Sequence, residues 1–394
     1  MERIPFAVPD ITEREVSAVV ETMRSGWLTT GPSTQRFEEQ FAELIQVPHA
    51  LAVNSCTSGL HLALDACGVR ENDAVVLPTL TFTASAEVVR YLGAYPYFAD
   101  IDPETGLAEA DSLRAAAERA ARDGRTVRVI MPVHYAGQAV AMQPVMELAR
   151  ELGARVVEDA AHAFPTTCDG QMIGRHGDVV AFSFYATKTL TTGEGGMVTT
   201  RDDAMAKRMR VMRLHGISRD VWDRYNTDKP SWYYEVIDAG YKYNLSDMAS
   251  AVGLVQLDRT EAMWEARASI ARRYDAAFAG TALRPLRTTR PEDRHAHHLY
   301  VVRIDPQSGC TRDSFIQAMA EQGVGTSVHF IPLHRMPFWR DRYELRTEDF
   351  PGAEELFAEC VSLPIFSSMT EAQVERVIAA ASQAISTPTP TTTS

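Results

Sequence analysis

Short apolar runs rich in β-branched residues alternate with stretches of helical spacing, and this alternation constrains the fold more than any other feature. Residues 127–133 form a β-branched run, residues 144–152 have helical spacing, and residues 154–158 are apolar again. This is the pattern of a strand, a helix and a strand. The same order occurs upstream at residues 74–77, 84–92 and 95–100. We therefore expect an α/β fold with a mainly parallel sheet, helices on both faces, and ligands at the carboxyl ends of the strands.

The chain of 394 residues is longer than one hydrophobic core usually accommodates, so we expect two domains. Residues 258–278 have the spacing of a long amphipathic helix that leaves the large domain. We predict a large domain at 1–257, a smaller C-terminal α+β domain at 258–385, and a disordered tail at 386–394. Within the small domain we predict a strand at 298–304 and helices at 313–322 and 371–385.

The composition disfavours several classes of protein. Hydrophobic residues make up 45% and charged residues 23% of the chain, which is ordinary for a globular protein, and no apolar run approaches the ~20 residues of a membrane span. A formal net charge of −13 argues against binding to nucleic acid or to an anionic membrane. The N-terminus lacks a signal-peptide pattern and the five cysteines show no close pairing, so we expect a cytoplasmic protein.

Lys188 lies five residues after Ser183 in FSFYATKTLTTGEGG, and Asp159 lies upstream in VVEDAAH. The set provides an amine for a Schiff base, a hydroxyl for a phosphate, a flexible glycine run, and a carboxylate that can keep a pyridinium nitrogen protonated. Burial would lower the pKa of Lys188 and give the neutral amine needed for imine exchange and proton transfer. The combination predicts a pyridoxal phosphate (PLP) site with Lys188 and Asp159 as catalytic residues, although either residue alone has an ordinary structural interpretation.

Two further segments are candidates for the same site. Thr57 and Ser58 precede a helical stretch at residues 60–66, and the free N–H groups and positive dipole of a helix N-terminus favour a phosphate. An ordinary Ser/Thr cap would have the same sequence. His162, three residues after Asp159, is in reach of a ring oxygen, or is a histidine with a structural role.

Ordered motifs extend over nearly the whole chain, and through them it resembles the DegT/DnrJ/StrS family of sugar aminotransferases, which are fold type I PLP enzymes. The motifs are GWLTTGP at 26–32, NSCTSGLHLAL at 54–64, PTLTFTA at 78–84, VHYAGQ, EDAAHA, the SFxxxK block that ends at Lys188, RLHG at 213–216, GYKYNLSD at 240–247 and VHFIPLH at 328–334.

The resemblance implies a role for each residue that matches these motifs. Phe82 would stack on the pyridine ring, Asp159 would bind its nitrogen, and His162 its phenolic oxygen. Lys188 would carry the Schiff base. The phosphate ligands would be Thr57, Ser58, Ser183 and, from the neighbouring subunit of a homodimer with shared active sites, Asn244. The residues facing the substrate would be Trp27, Thr29, Tyr185 and His329.

The implied reaction is a two-step transamination. An amino acid, expected to be L-glutamate, would leave its amino group on the cofactor as pyridoxamine phosphate, and a nucleotide-linked keto-deoxysugar would accept it, as in amino sugar biosynthesis. Relatives that carry histidine in place of the lysine are dehydratases, whereas Lys188 is present here. The alternatives are a cyclitol aminotransferase that acts on keto-inositols and a non-catalytic regulatory protein of the same fold.

Three other features attract notice. The histidines at 295, 297 and 298 could bind a metal, but the segment resembles the family's entry to a strand, and we predict no metal site. The aromatic and charged segment 222–234 reads as a loop or hairpin that covers an interface. Arg267, Arg272 and Arg273 are expected on the solvated side of the long helix.

Overall fold

A computed structural model describes residues 2–218 and 234–386. Its largest sheet has seven strands in the spatial order β1-β9-β8-β5-β4-β2-β3, and all run parallel except β9, which is antiparallel to both neighbours. The strands of this sheet and of the small hairpin β6–β7 are β1 (His49–Val53), β2 (Ala74–Pro78), β3 (Tyr95–Ala99), β4 (Val127–Ile130), β5 (Arg155–Asp159), β6 (Thr167–Cys168), β7 (Gln171–Met172), β8 (Val179–Ser183) and β9 (Gly196–Thr200).

Helices cover both faces of this sheet, because its central strands are apolar on both sides. Every residue of β2 is buried, and helix α3 packs on β8 and β9. Among the described residues up to 278, the helices are α1 (Glu13–Ser25), α2 (Pro32–Ile45), α3 (Cys56–Ala66), α4 (Ala84–Tyr91), α5 (Ala110–Arg122), α6 (Met142–Leu152), α7 (Asp203–Met212), α8 (Asp247–Asp258) and α9 (Thr260–Phe278).

The C-terminal part has its own three-stranded antiparallel sheet, in the order β10-β11-β12. A second hydrophobic cluster lies between this sheet and its helices, with Tyr274, Phe315 and Val377 fully buried in it. The elements are β10 (Leu283–Pro285), β11 (Tyr300–Ile304), α10 (Arg312–Glu321), α11 (Pro337–Tyr343), α12 (Pro351–Glu359), β12 (Cys360–Leu363) and α13 (Glu371–Ser386). Leu299 and Leu356 of this C-terminal part pack in the other hydrophobic cluster, which surrounds the large sheet. The two clusters therefore do not divide the chain at residue 258, and the predicted domain boundary stays a prediction.

The extended N-terminal segment belongs to this C-terminal part. Ile4 is buried in the second cluster. Its N–H donates to the carbonyl of Gly323 (2.8 Å) and its carbonyl accepts from Gly325 N–H (2.8 Å). The first residues of the chain therefore lie against a segment more than three hundred positions away.

The predicted α/β class and the predicted strands and helices are confirmed, with shifted ends. Helix α3 begins at Cys56 rather than near residue 60 because the Ser55 side chain caps it, and Asp258 ends α8 rather than starting α9. The tail beyond residue 386 and nearly all of segment 222–234 lie outside the described residues.

The prediction for Arg267 was wrong. Its side chain is buried, and its guanidinium donates to the carbonyls of Ile365 (2.8 Å) and His297 (3.2 Å). These acceptors come from loops that pack on α9 from far along the chain, so helical periodicity alone placed the residue on the wrong face. Arg272 is exposed, as expected.

Candidate active site

The carboxyl ends of β5 and β8 open into a cavity of about 480 Å³. Asp159 ends β5 and Ser183 ends β8, and the parallel pairing of the two strands places both residues at the same edge of the sheet. Lys188 lies on the irregular connection from β8 to β9, and Thr57 lies in the first turn of α3. All four residues line the cavity, so three separate segments of the chain meet in one site.

Lys188 is half-buried in the wall of this cavity. In the part of the chain that the structure describes, its amine makes no ion pair and contacts one polar partner, His298 Nε2, at 3.4 Å. Burial lowers the pKa of Lys188 to about 8, although Cys56 and Asp159 raise it in part. About a tenth of the amine is therefore neutral at pH 7, far more than for an ordinary lysine, and the neutral form is the one that acts as nucleophile and proton acceptor.

Asp159 is buried, and its carboxylate is held in one orientation. Oδ2 accepts a hydrogen bond from Ser85 Oγ (2.7 Å), and Oδ1 accepts from Ala161 N–H (3.1 Å). Burial raises the pKa of Asp159, an effect that these two hydrogen bonds and Lys188 partly offset. A buried carboxylate of this kind is stabilised as an anion by a cationic hydrogen-bond donor, which a pyridinium N–H provides.

His162 is a neutral imidazole whose tautomer follows from its neighbours. Burial, with a smaller contribution from Lys188, holds the pKa of His162 well below its usual value. Nδ1 accepts a hydrogen bond from Ala136 N–H (3.3 Å), so in the neutral ring the proton is on Nε2. His162 lines the cavity and can therefore donate from Nε2 to an oxygen of a bound ring.

The N-terminus of α3 divides the predicted phosphate ligands into two groups. Thr57 and Ser183 line the cavity, whereas Ser58 does not. Ser58 N–H donates to the capping Ser55 Oγ (3.1 Å), and Ser58 Oγ donates to Asn54 Oδ1 (2.6 Å). Ser58 thus serves the helix cap in this structure, and its role as a phosphate ligand stays a prediction.

Aromatic rings form the remaining walls. Phe82 and Tyr185 are 60% and 47% exposed, respectively, and both line the cavity, which leaves their faces available to a planar ring or a sugar. His329 also lines it, and its ring stacks on Phe6 at 5.3 Å between centroids. Burial lowers the pKa of His329 to about 4, so this wall carries no charge near neutral pH.

Besides Ser58, three predicted site residues lie outside the cavity, and these three gather around Thr30. Asn244 Nδ2 donates to Thr30 Oγ1 (2.7 Å), and Trp27 Nε1 donates to the carbonyl of Thr30 (3.1 Å). The carbonyl of Thr29 accepts from Asp247 N–H at the start of α8 (3.2 Å). Trp27, Thr29 and Asn244 thus form a group of their own, which we call the Thr30 cluster and which does not line the Lys188 cavity of the same chain.

Several residues that line the cavity or orient one of its side chains were not found from the sequence. Ser85 orients Asp159 from the first turn of α4, Phe330 stacks on His162 (5.7 Å between centroids), and His298 contacts Lys188. His298 belongs to the histidine tract considered for metal binding. In the described residues, no group of three or more His, Cys, Asp or Glu side chains is arranged to hold a metal ion. The contact of His298 depends on how the C-terminal part packs on the sheet, which no local pattern encodes.

The donors and acceptors in the cavity fit PLP. Asp159 provides a fixed acceptor for the ring nitrogen, His162 a donor for the ring oxygen, and Lys188 an amine of lowered pKa. The start of α3 and the hydroxyls of Thr57 and Ser183 provide donors of the kind that a phosphate requires.

Comparison with known proteins agrees with this fit. The family described as DegT/DnrJ/EryC1/StrS aminotransferase matches residues 9–382. The spore coat polysaccharide biosynthesis protein SpsC of Bacillus subtilis is 43% identical over 379 residues, which cover 96% of each chain.

Solved structures of similar chains lead to the same family. The putative sugar aminotransferase Spr1654 from Streptococcus pneumoniae in its PMP form is 31% identical with a TM-score of 0.89, covering 97% of this chain and 99% of that one. It has also been solved in a PLP form. The aminotransferase TlmJ from Streptoalloteichus hindustanus is 32% identical with a TM-score of 0.87, covering 97% and 98%.

Proposed function

The chain belongs to the DegT/DnrJ/EryC1/StrS aminotransferase family and is a PLP-dependent aminotransferase of fold type I, and we propose that it transfers an amino group from L-glutamate to a nucleotide-linked keto-deoxysugar. The observation that carries the proposal is the meeting of Lys188, Asp159 and His162 around one aromatic-walled cavity. In residues 2–218 and 234–386, every helix is too short or too polar to cross a bilayer. We propose that the enzyme acts in the cytoplasm, where nucleotide-linked sugars are made.

Each of the three residues has a separate task in this proposal. PLP, when bound, supplies an electron-withdrawing ring that spreads the negative charge left when a C–H bond of the substrate breaks. Asp159, held by Ser85 and Ala161, would keep the ring nitrogen protonated. His162 would donate from Nε2 to the ring oxygen. Lys188 Nζ would move the proton from the substrate carbon to the cofactor carbon, and in the opposite direction in the second half of the reaction.

Two observations support a sugar as the substrate: the side chains that line the cavity, and the description of a protein of similar structure. Exposed aromatic faces such as Phe82 and Tyr185 pack well against the apolar face of a sugar ring. The neutral imidazole of His329 can donate or accept a hydrogen bond with a sugar hydroxyl. The S. pneumoniae neighbour is described as a putative sugar aminotransferase.

The test is a panel of acceptors supplied with PLP and L-glutamate. We expect amination, measured by mass spectrometry of the product, only with nucleotide-linked keto-deoxysugars, and not with the same sugars without the nucleotide. The panel contains 3-keto and 4-keto sugars, and keto-inositols as competing acceptors. Turnover of a keto-inositol but of no nucleotide-linked sugar would replace this proposal with the cyclitol alternative.

We also propose a homodimer in which the Thr30 cluster of one subunit completes the site of the other. Asn244 would then reach the phosphate of the cofactor bound in the neighbouring subunit, with Trp27 and Thr29 facing its substrate. The support is that these residues lie together and do not line the Lys188 cavity of their own chain.

Mixing two inactive variants tests the shared site. Lys188→Ala and Asn244→Ala should each lack activity, but half of the dimers re-formed from an equal mixture would contain both chains, and each of these would have one intact site. We expect the mixture to recover about a quarter of the parent activity. If each subunit builds its whole site alone, mixing restores nothing, and a fully active Asn244→Ala variant would also contradict the shared site.

A further inference from the structure

His298 lies immediately before β11, in the C-terminal part of the chain, yet its imidazole reaches the amine of Lys188 on the large sheet. Nε2 lies 3.4 Å from Lys188 Nζ, and the ring lies 4.3 Å from that of His162. From this geometry we infer that His298 is a positioning residue for Lys188, which accepts a hydrogen bond from the amine and holds it in place while it carries a proton. The inference rests on the proton-transfer role proposed for Lys188.

The direction of this hydrogen bond follows from the charges in the site. Burial, followed by the nearby Lys188, holds the pKa of His298 well below its usual value, so the imidazole is neutral. A protonated lysine has three N–H donors and no acceptor. The imidazole must therefore accept at Nε2, which leaves its own proton on Nδ1.

The Nδ1 atom of His298 is buried and has no hydrogen-bond partner within the described residues. Burying an unpaired polar atom costs free energy, so an imidazole is a poor choice for a position that only fills space. The contact at Nε2 gives a reason for a nitrogen-containing side chain here.

The other two histidines of the cavity do not compete for this role. His162 Nδ1 is engaged by Ala136 N–H, and His329 Nδ1 is paired with Ser362 Oγ at 2.9 Å. Of the side chains that the structure describes, His298 alone forms a hydrogen bond with Lys188 Nζ. His298 therefore differs from His162 and His329 in its direct contact with the Lys188 amine.

The chemistry of this arrangement is simple. When the substrate C–H bond breaks, its proton forms a new N–H bond on Lys188 and the amine becomes an ammonium. His298 accepts a hydrogen bond from that ammonium without taking the proton, because its own pKa is too low. The titratable groups that face Lys188 are Cys56 on α3, Asp159 on β5 and the three neutral imidazoles of His162, His298 and His329. Only a hydrogen-bond acceptor at the amine itself favours the ammonium without adding a charge.

A matched pair of variants tests the inference. His298→Gln keeps an acceptor oxygen at a similar distance from the backbone, whereas His298→Met has the same length without a strong acceptor. The readout is the pKa of Lys188 in the full-length chain freed of cofactor, taken from the pH dependence of its acetylation, with the modified peptide quantified by mass spectrometry. We expect the pKa to fall by about one unit in the methionine variant and to stay within about 0.3 units of the parent in the glutamine variant.

Turnover of the holoenzyme gives a second readout. The methionine variant should lose about tenfold in kcat with KM within about twofold of the parent, because the amine moves protons and does not bind the sugar. The glutamine variant should recover most of this loss. Since acetylation requires no substrate, an incorrect choice of sugar leaves the first readout intact, so the two proposals can fail separately.

Two controls make the outcome decisive. His297→Met alters the neighbouring histidine, which packs on His295 and has no contact with Lys188, and it should leave the pKa of Lys188 unchanged. If His298→Met does not give the circular dichroism spectrum of the parent, His298→Asn replaces it, since its shorter amide cannot reach the amine and should lower the same pKa. A Lys188 pKa that is equal to that of the parent in the folded methionine or asparagine variant would overturn the inference.

Discussion

Two cations withdrawn from bulk solvent, Lys188 and Arg303, have opposite surroundings. Arg303, on β11 of the C-terminal sheet, is 2% exposed and forms ion pairs with Glu355 (2.5 Å), Glu359 (2.8 Å) and Glu104. Lys188, on the connection from β8 to β9, has no carboxylate in ion-pairing contact among residues 2–218 and 234–386, and its pKa is lowered to about 8.

The difference separates a cation that holds the fold together from one that is kept reactive. Arg303 joins α12 and the loop before α5 to the small sheet, and three carboxylates balance its charge. Lys188 receives one neutral acceptor, His298, instead of a carboxylate. An uncompensated lysine costs stability, but its lowered pKa lets the amine gain and lose a proton near neutral pH.

Removal of the Lys188 amine should have the largest effect. Lys188→Ala is expected to lower kcat by at least about 10⁴-fold, because it removes both the covalent link to PLP and the proton carrier. Its free energy of unfolding, measured with denaturant in the absence of PLP, should not fall, since an unpaired cation is lost. Lys207→Ala, on the exposed side of α7, serves as the control and should retain full activity. Substantial turnover by Lys188→Ala would contradict the assignment of Lys188 as the reactive cation of the pair.

The next largest effect is expected at the carboxylate across the cavity. Asp159→Asn keeps the shape and the acceptor for Ser85 but loses the charge, and kcat should fall by about 10²- to 10³-fold. Steady-state kinetics with saturating PLP measure it. Ser85→Ala leaves the charge in place and only loosens it, so its loss should be smaller. If both variants lost the same activity, the orientation of Asp159 rather than its charge would be the important property.

Arg303→Met should affect the fold and not the chemistry. It leaves three carboxylates without their partner, so we expect the free energy of unfolding to fall by about 3 kcal/mol, with kcat within about twofold of the parent. Denaturant titration and steady-state kinetics give the two values. Arg284→Met, which removes a half-exposed partner of Glu359, is the matched surface control and should cost less than about 1 kcal/mol. Equal losses for the two variants would mean that burial does not distinguish Arg303.

The smallest expected effect is that of mild acid on the histidines. Burial lowers the pKa of His297 and of His329 to about 4 from an ordinary value of 6.5. Their stabilisation is complete above pH 6.5 and is lost as the pH falls towards 4, because the unfolded chain binds protons that the folded chain refuses. Each should contribute a loss of about 1.4 kcal/mol between pH 7.5 and pH 5.5. Denaturant titrations at both values, with His329→Gln as a variant that lacks one of the two groups, measure the slope, which should be shallower in that variant.

The sequence was informative wherever a residue's role depends on its own strand or turn. The alternation of strands and helices predicted ligands at the carboxyl ends of parallel strands, and Asp159 and Ser183 lie at two such ends. Roles that depend on distant contacts were not predictable in this way. The buried guanidinium of Arg267 donates to the carbonyls of Ile365 and His297, and the imidazole of His298 contacts Lys188, which is 110 positions away in the chain.

Competition between local bonds explains a further difference. Thr57 and Ser58 are adjacent and chemically similar, yet only Thr57 lines the cavity, because the Ser58 hydroxyl bonds to Asn54 within the helix cap. Distant contacts have a similar effect, since Arg259, which separates α8 from α9, pairs with Asp10 and Glu15 near the start of the chain. The spacing of residues along the sequence does not show which of two adjacent hydroxyls will form a hydrogen bond within the helix cap and which will face the cavity.

The pairing of the N-terminal segment with the far end of the chain has a practical consequence. Phe6 and Ala7 line the cavity, and Ile4 fixes them there by its hydrogen bonds to Gly323 and Gly325. A gene shortened to begin at α1, the first regular element, would still encode the complete large sheet, but the recombinant enzyme would lack part of the wall beside His329. Anyone who trims this protein for crystallisation by its secondary structure would thus discard a piece of the catalytic pocket.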